Sequence, residues 1–251
     1  RWILEETGVD GFRMDALKHM GRDFTMTWIN RLREETGREL FTVGEYWSGD
    51  LPELRAFIGE DRSLSLFDVP LHFAFHHASQ GPADLRALFS GTLVESDPTL
   101  AVAFVDNHDT QEGQSLQSAV APWFKPAAYA LILLREAGYP CVFLADLEGC
   151  GGEHPIEPVP GLDTLMRLRS SHALGVQRDA FLEDSLLAWT REGAAEDPMT
   201  GLAALVSTAP GQARVEVGGL PVSAQQRRDR AAREVTPDHG GALQHGPLVG
   251  A

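Results

Sequence analysis

"LAVAFVDNHD", residues 100–109, places six apolar residues in an unbroken row and then turns at once to Asp-Asn-His-Asp. A strand with one wet face alternates apolar and polar residues. An unbroken run is what a strand buried on both faces needs, as in a parallel sheet covered by helices. The abrupt polar ending recurs outward along the chain. "GVDGFRMDALKH" (8–19) passes from Gly11-Phe12 into Arg13, Asp15, Lys18 and His19, and "ELFTVGEYW" (39–47) ends on Glu45.

Between these runs lie stretches with helical spacing. "DFTMTWINRLREETG" (23–37) is amphipathic and stops at Gly37, a good helix terminator. "PELRAFIGE" (52–60), "ADLRALFSGTL" (83–93) and "FKPAAYALILLREAGY" (124–139) read as further helices. "SLSLFDVPLHFAF" (63–75) reads as a strand with Pro70 at its exit, and "PCVFLAD" (140–146) as the next strand. The alternation predicts five parallel strands with right-handed crossovers, an α/β sheet or barrel.

After Leu174 the style changes to short β-like runs, "DSLLAWTREG", "TGLAALVSTA" and "QARVEVGG", which predict a small antiparallel module. The expected divisions are 1–173 for the β/α part, 174–220 for the β part and 221–251 for a disordered or aberrant tail rich in Arg, Ala, Gly and Pro.

A net charge of −15 over 251 residues argues against nucleic acid or an anionic membrane as partner. No apolar run reaches the roughly 18 residues of a membrane span. The first residue is Arg1, so cytoplasmic and secreted locations both stay open. Cys141, within "PCVFLAD", reads as a buried free thiol, and neither it nor Cys150 has companions spaced for a zinc site.

In parallel β/α folds the carboxyl ends of the strands share one face, and active sites are built there. Asp15, Glu45 and Asp109 are therefore expected on one rim, separated in sequence by 30 and 64 residues, about one and two β/α units. Clustered carboxylates bind a divalent cation or divide the roles of glycoside chemistry. Arg13, two residues before Asp15 and on the same strand face, would keep Asp15 ionised. Tyr46 and Trp47 would cover Glu45, raising its pKa toward that of a general acid, and offer flat faces to a sugar.

"GFRMDALKH" (11–19), "GEYW" (44–47) and "FVDNHD" (104–109) resemble three conserved segments of the α-amylase family of glycoside hydrolases. Intervening stretches such as "SLFDVPLHFAFHHAS" and "WFKPAAYALILLREAGYPCVF" look like the bacterial liquefying and cytoplasmic members, and the likeness runs from about Arg1 to Gly219. It implies a (β/α)8 TIM barrel followed by an antiparallel β-sandwich, with only barrel strands 4–8 and a shortened sandwich present, so a chain incomplete at both ends. The family's first conserved segment has no counterpart.

Position by position, the resemblance implies Asp15 as nucleophile, Glu45 as general acid/base and Asp109 as transition-state stabiliser. Arg13, Lys18, His19, Trp47 and His108 take substrate-binding roles. It also implies a structural calcium ion touched by the backbone carbonyl of His19, with most ligands in the part not present. The partner is an α-glucan or maltooligosaccharide, and the complete protein a monomer. The implied activity is retaining endo-hydrolysis of α-1,4-glucosidic bonds. A family transglycosylase, or a truncated chain with weak glucan binding, are the alternatives. His72, His76 and His77 read as structural, Asp106 and Asn107 as braces of the strand end, and Asp68 has no assigned role.

Overall fold

A computed structural model of the protein describes residues 1–210, 213–215 and 233–235. They form two compact units. The first comprises Arg1–Phe73, Phe89–Phe104 and Ala137–Cys141; the second takes Ala74–Leu88, Val105–Glu136 and the described residues from Val142 onward.

The first unit is built on a five-stranded sheet of β1 (Gly11–Met14), β2 (Phe41–Gly44), β3 (Ser65–Phe67), β4 (Ala101–Phe104) and β5 (Tyr139–Cys141), in sequential order. Every pairing is parallel. The expected five parallel strands are therefore present. Among the described residues β1 and β5 are the sheet's edges.

Alternate residues define the inner face. Arg13 lies opposite Val43 and Val43 opposite Ser65. Phe67 pairs Val102, Val102 pairs Tyr139 and Phe104 pairs Cys141. The rings of Phe41 and Tyr139 meet at 5.7 Å between centroids, although β3 and β4 separate their strands. In a flat sheet those backbones would stand about 14 Å apart, so the sheet curls toward this face.

Helices cover the other face. α1 (Trp2–Thr7) ends at Gly8, and α2 (Arg22–Thr36) ends where expected, at Gly37 in the left-handed region, its N–H donating to Arg33 O. Leu4, Leu32 and Leu40 form a buried cluster with Phe12 and Trp28 against it. α3 (Leu51–Ile58) buries Leu54, Phe57 and Ile58.

The strand expected over 63–75 is a strand only to Phe67; Val69–Gln80 is a helix, α4. Apolar residues at 67, 69, 71, 73 and 75 imitate a strand's alternation. Asp68 decides the matter: its carboxylate accepts the Leu71 N–H at 3.1 Å and its carbonyl accepts the His72 N–H, an N-cap with Pro70 in the first helical turn. Asp68 is fully buried and also accepts from Leu93 and Val94 N–H, at 3.1 and 2.7 Å, so it caps α5 (Leu93–Ser96) as well. Burial raises its pKa against the opposing pull of those three N–H groups.

The helix expected over 83–93 is likewise reduced to a 3-10 turn, Leu85–Ala87, with α5 beyond it. Gly91, at φ 74°, breaks the run.

In the second unit α6 (Lys125–Leu134) is buried on nearly every residue, which explains its apolar composition. "PCVFLAD" is a strand only to Cys141 and turns helical as α7 (Leu144–Glu148), which α8 (Leu162–Ser171) follows.

The antiparallel module is present as β6 (Gln177–Glu183), β7 (Leu186–Arg191) and β8 (Leu202–Ser207). Trp189 at its centre is fully buried and donates from Nε1 to Leu134 O. β9 (Ala213–Val215) pairs antiparallel with β10 (Arg233–Val235), and Val215 packs on Leu186, Ala188 and Leu205. β10 lies within the stretch read as tail; the rest of 221–251 lies outside the described residues.

Candidate active site

The carboxyl ends of β1 and β2 are laced together by their backbones. Glu45 N–H donates to Met14 O and Leu17 N–H donates to Glu45 O, each at 2.8 Å. Ala16 sits between them in the left-handed region (φ 50°, ψ 40°), a conformation that costs a residue with a Cβ about 1–2 kcal/mol. Its N–H is thereby aimed at Glu45, donating to Oε2 at 3.2 Å. Leu17 is fully buried beneath this turn, and the space it fills exists because residue 44 is glycine: a Cβ there would lie 2.1 Å from Leu17 Cδ1.

Arg13 joins the two carboxylates. One terminal nitrogen, Nη1, donates to Asp15 Oδ1, and the other, Nη2, to Glu45 Oε2 at 3.2 Å. Glu45 is 6 % exposed, whereas the Asp15 side chain is 71 % exposed. The structure thus brings Arg13, Asp15 and Glu45 together, one carboxylate enclosed and one open. Around the Glu45 carboxylate it places Arg13 and the Ala16 N–H, where the sequence suggested apolar cover. Tyr46 packs on Phe57 instead, at 4.9 Å.

Lys18 reaches the β2 exit, with Nζ 3.4 Å from Trp47 O, 3.6 Å from Glu53 Oε2 and 5.8 Å from the Tyr46 ring centre. His19 is exposed in the short turn Leu17–His19, its N–H donating to Ala16 O. Trp47 is half-buried, its ring against His72, Phe73 and Phe104. His72 is fully buried and stacks on Phe104 at 5.0 Å. Cys141 is half-buried and not fully enclosed, and Cys150 is exposed; both are free. Burial pushes the Cys141 thiol's pKa up, against the pull of Arg13.

In the second unit the chain leaving β4 forms the turn that carries His108 and Asp109. Asn107 Oδ1 accepts from Asp109 N–H at 2.8 Å and from Thr110 N–H at 3.0 Å. His108 Nε2 lies 3.3 Å from Asp109 Oδ2. Asp106, nearly fully buried, accepts from the Thr110 hydroxyl and Val120 N–H, the bracing expected of it.

Sequence reasoning did not single out Lys125, Tyr129 or Asp146. Lys125 Nζ contacts Asp106 Oδ2 at 2.9 Å and Asp146 Oδ1 at 2.5 Å, while Tyr129 Oη donates to Asp146 Oδ2 at 2.7 Å. Burial draws the Lys125 pKa down, but the two carboxylates outweigh it and the pKa ends above the ordinary lysine value. Burial raises the Asp106 pKa, opposed by Lys125. Tyr129 is also raised, by burial first and then by Asp146. A signal was present in the lysine and tyrosine set within an otherwise apolar helix.

Calcium asks for six to eight oxygen ligands. Among the described residues no group of three or more His, Cys, Asp or Glu is placed to hold a metal. One carbonyl, that of His19, does not make such a site, so the residues present do not by themselves fit the ion. No helix among the described residues is long and apolar enough to cross a membrane.

A curled parallel β/α sheet bearing paired carboxylates at its carboxyl rim defines a barrel-type β/α fold with its candidate active site at the strand ends. No family model matches the chain. The α-amylase of Geobacillus stearothermophilus is 48% identical over 218 residues, 84% of this chain and 39% of the relative. The α-amylase of Bacillus licheniformis is 46% identical over 220 residues, 85% of this chain and 43% of the relative. The solved gamma-CGTase of Alkalophilic bacillus clarkii aligns over 98% of this chain and 40% of its own, with a TM-score of 0.63 at 18% identity, a likeness of fold. The chain belongs to the α-amylase family. It spans about two fifths of the length of the curated relatives it matches.

Proposed function

We propose that the whole protein containing this chain hydrolyses α-1,4-glucosidic bonds within starch- or glycogen-type glucans, with retention at the anomeric carbon. The bridging of Asp15 and Glu45 by one Arg13 guanidinium carries the reading. Retaining glycosidases hold their two carboxyl groups about 5–5.5 Å apart, too close for an intervening water. A shared guanidinium is compatible with that spacing.

In this reading Asp15, ionised beside Arg13 and open to solvent, attacks the anomeric carbon. Protonated Glu45 gives its proton to the glycosidic oxygen as that bond breaks, leaving a glycosyl ester on Asp15. Glu45 then takes a proton from water, the hydroxide portion attacks the anomeric carbon, and Asp15 departs. Two inversions restore the α configuration. Asp109 grips hydroxyls of the distorted sugar, and His108, Lys18, His19 and Trp47 contact the glucan. The ligand is a neutral α-glucan or maltooligosaccharide, with which a net charge of −15 does not interfere.

A second reading concerns residues 1–251 by themselves, as an inactive chain with at most weak glucan binding. It is favoured by the edges β1 and β5, unpaired among the described residues, and by Phe41 and Tyr139, 48% and 49% exposed on the inner face. The test is NMR of a fresh digest of soluble starch by the whole protein. The α-anomer should appear first, and a β-anomer appearing first would remove the retaining assignment.

A further inference from the structure

Asp109 is half-buried on the turn leaving β4, where Leu116 N–H donates to its carbonyl and Ser118 N–H to that of Thr110, and buried polar groups brace the same turn from beneath. Thr110 is fully buried. Its hydroxyl donates to Asp106 Oδ1 at 3.0 Å and accepts from Asn107 N–H at 3.0 Å. Asn107 in turn holds the Asp109 and Thr110 N–H groups with its side-chain oxygen. Asp106 accepts from Thr110 and Val120 on Oδ1 and faces Lys125 with Oδ2, so Lys125 is the cation that offsets the cost of a carboxylate in the interior. Asp146 also contacts Lys125, and Tyr129 reaches the network only through Asp146, to whose other oxygen its hydroxyl donates.

We propose that Thr110 and Lys125 are positioning residues for Asp109: Lys125 pairs with Asp106 and holds it in place, Asp106 fixes the Thr110 hydroxyl, and Thr110 with Asn107 closes the turn that presents Asp109. The proposal rests on the reading of Asp109 as the transition-state stabiliser. A side chain that acts on the distorted sugar loses its effect in kcat when it is misplaced, with ground-state binding largely kept.

The experiment uses the whole protein and maltoheptaose. Thr110→Val keeps the shape and removes the hydroxyl; it should lower kcat about tenfold or more with KM within about twofold. Thr110→Ser restores the hydroxyl and should restore kcat. Lys125→Met is the second variant and should show the same split between kcat and KM. Tyr129→Phe takes a hydrogen bond from the far end of the network; it should lower the melting temperature and leave kcat at the parent value. Asp109→Asn is assayed alongside. If Asp109→Asn is inactive while Thr110→Val and Lys125→Met turn over like the parent, the positioning proposal is overturned and the reading of Asp109 stands. If kcat falls in Tyr129→Phe in step with its melting temperature, as in the other variants, the network is structural only and the proposal is again overturned. An active Asp109→Asn would sink the reading of Asp109 itself, and the proposal with it.

Discussion

Gly44→Ala adds one methyl group at the place where β2 turns into Glu45, and the structure says what that methyl meets. Its position is 2.1 Å from Leu17 Cδ1, 2.9 Å from Leu64 Cδ1 and 3.1 Å from Leu66 Cδ2. These leucine atoms are side-chain ends, which elsewhere would swing aside. Here all three leucines are 2 % exposed or less, so none has an empty rotamer to enter. Overpacking of this kind costs about 1–3 kcal/mol. In a domain of this size that is a melting shift of about 2–4 °C for each kcal/mol. The strain falls first on Leu17, whose N–H is bound to Glu45 O, and then on the Ala16 N–H at Glu45 Oε2. Catalysis by the whole protein should therefore fall along with stability.

The decisive measurement is a double-mutant cycle by urea unfolding. Leu17→Ala alone should cost about 2–5 kcal/mol, because it opens a cavity at a fully buried site. In Gly44→Ala/Leu17→Ala the new methyl occupies space that the truncation vacated. The pair should then cost less than the sum of the singles by about 1–3 kcal/mol. Additivity within about 0.5 kcal/mol would refute the claim that Leu17 is what the glycine accommodates.

Asp15→Asn in the whole protein should lower kcat by several orders of magnitude while KM changes little, because a nucleophile acts on the transition state; a variant within tenfold of the parent would assign the nucleophile elsewhere. Stability should fall as pH rises from about 10 upward. Lys125 and Tyr129 both have raised folded-state pKa values, so the unfolded chain releases their protons first and gains from alkali. Melting temperatures across pH 8–12 should show this loss, and Lys125→Met should flatten part of it. Residues 1–251 produced alone should self-associate and lack starch hydrolysis, because open strands β1 and β5 invite pairing between molecules. A monodisperse monomer on size exclusion that releases reducing sugar at the rate of a whole α-amylase would overturn that expectation.

Much of the rim was legible from local pattern alone. Unbroken apolar runs ending in charge mark strands buried on both faces, and in parallel sheets their carboxyl ends converge. Arg13, Asp15 and Glu45 follow from that rule together with a strand's period of two. The same local rule fails at 69–75, where alternating apolar residues belong to a helix. There the signal lay in one residue, Asp68, whose carboxylate binds N–H groups both three and about twenty-five residues away. A cap joining two helices is a tertiary object, and no window of sequence contains it.

The sequence alone determined the order of the five parallel strands and which carboxylates close them, because backbone periodicity and terminator residues act over a few positions. The tertiary structure alone decided what surrounds those carboxylates. Ala16 takes a left-handed turn because its N–H has Glu45 to meet, and Gly44 is required because Leu17 comes to lie beneath it. Lys125 is buried because Asp106, just after β4, and Asp146, in α7, both reach its ammonium group. Each of these depends on groups brought together across gaps of 19 to 29 residues. Desolvation and close packing set their energies, and those arise only once the chain has folded.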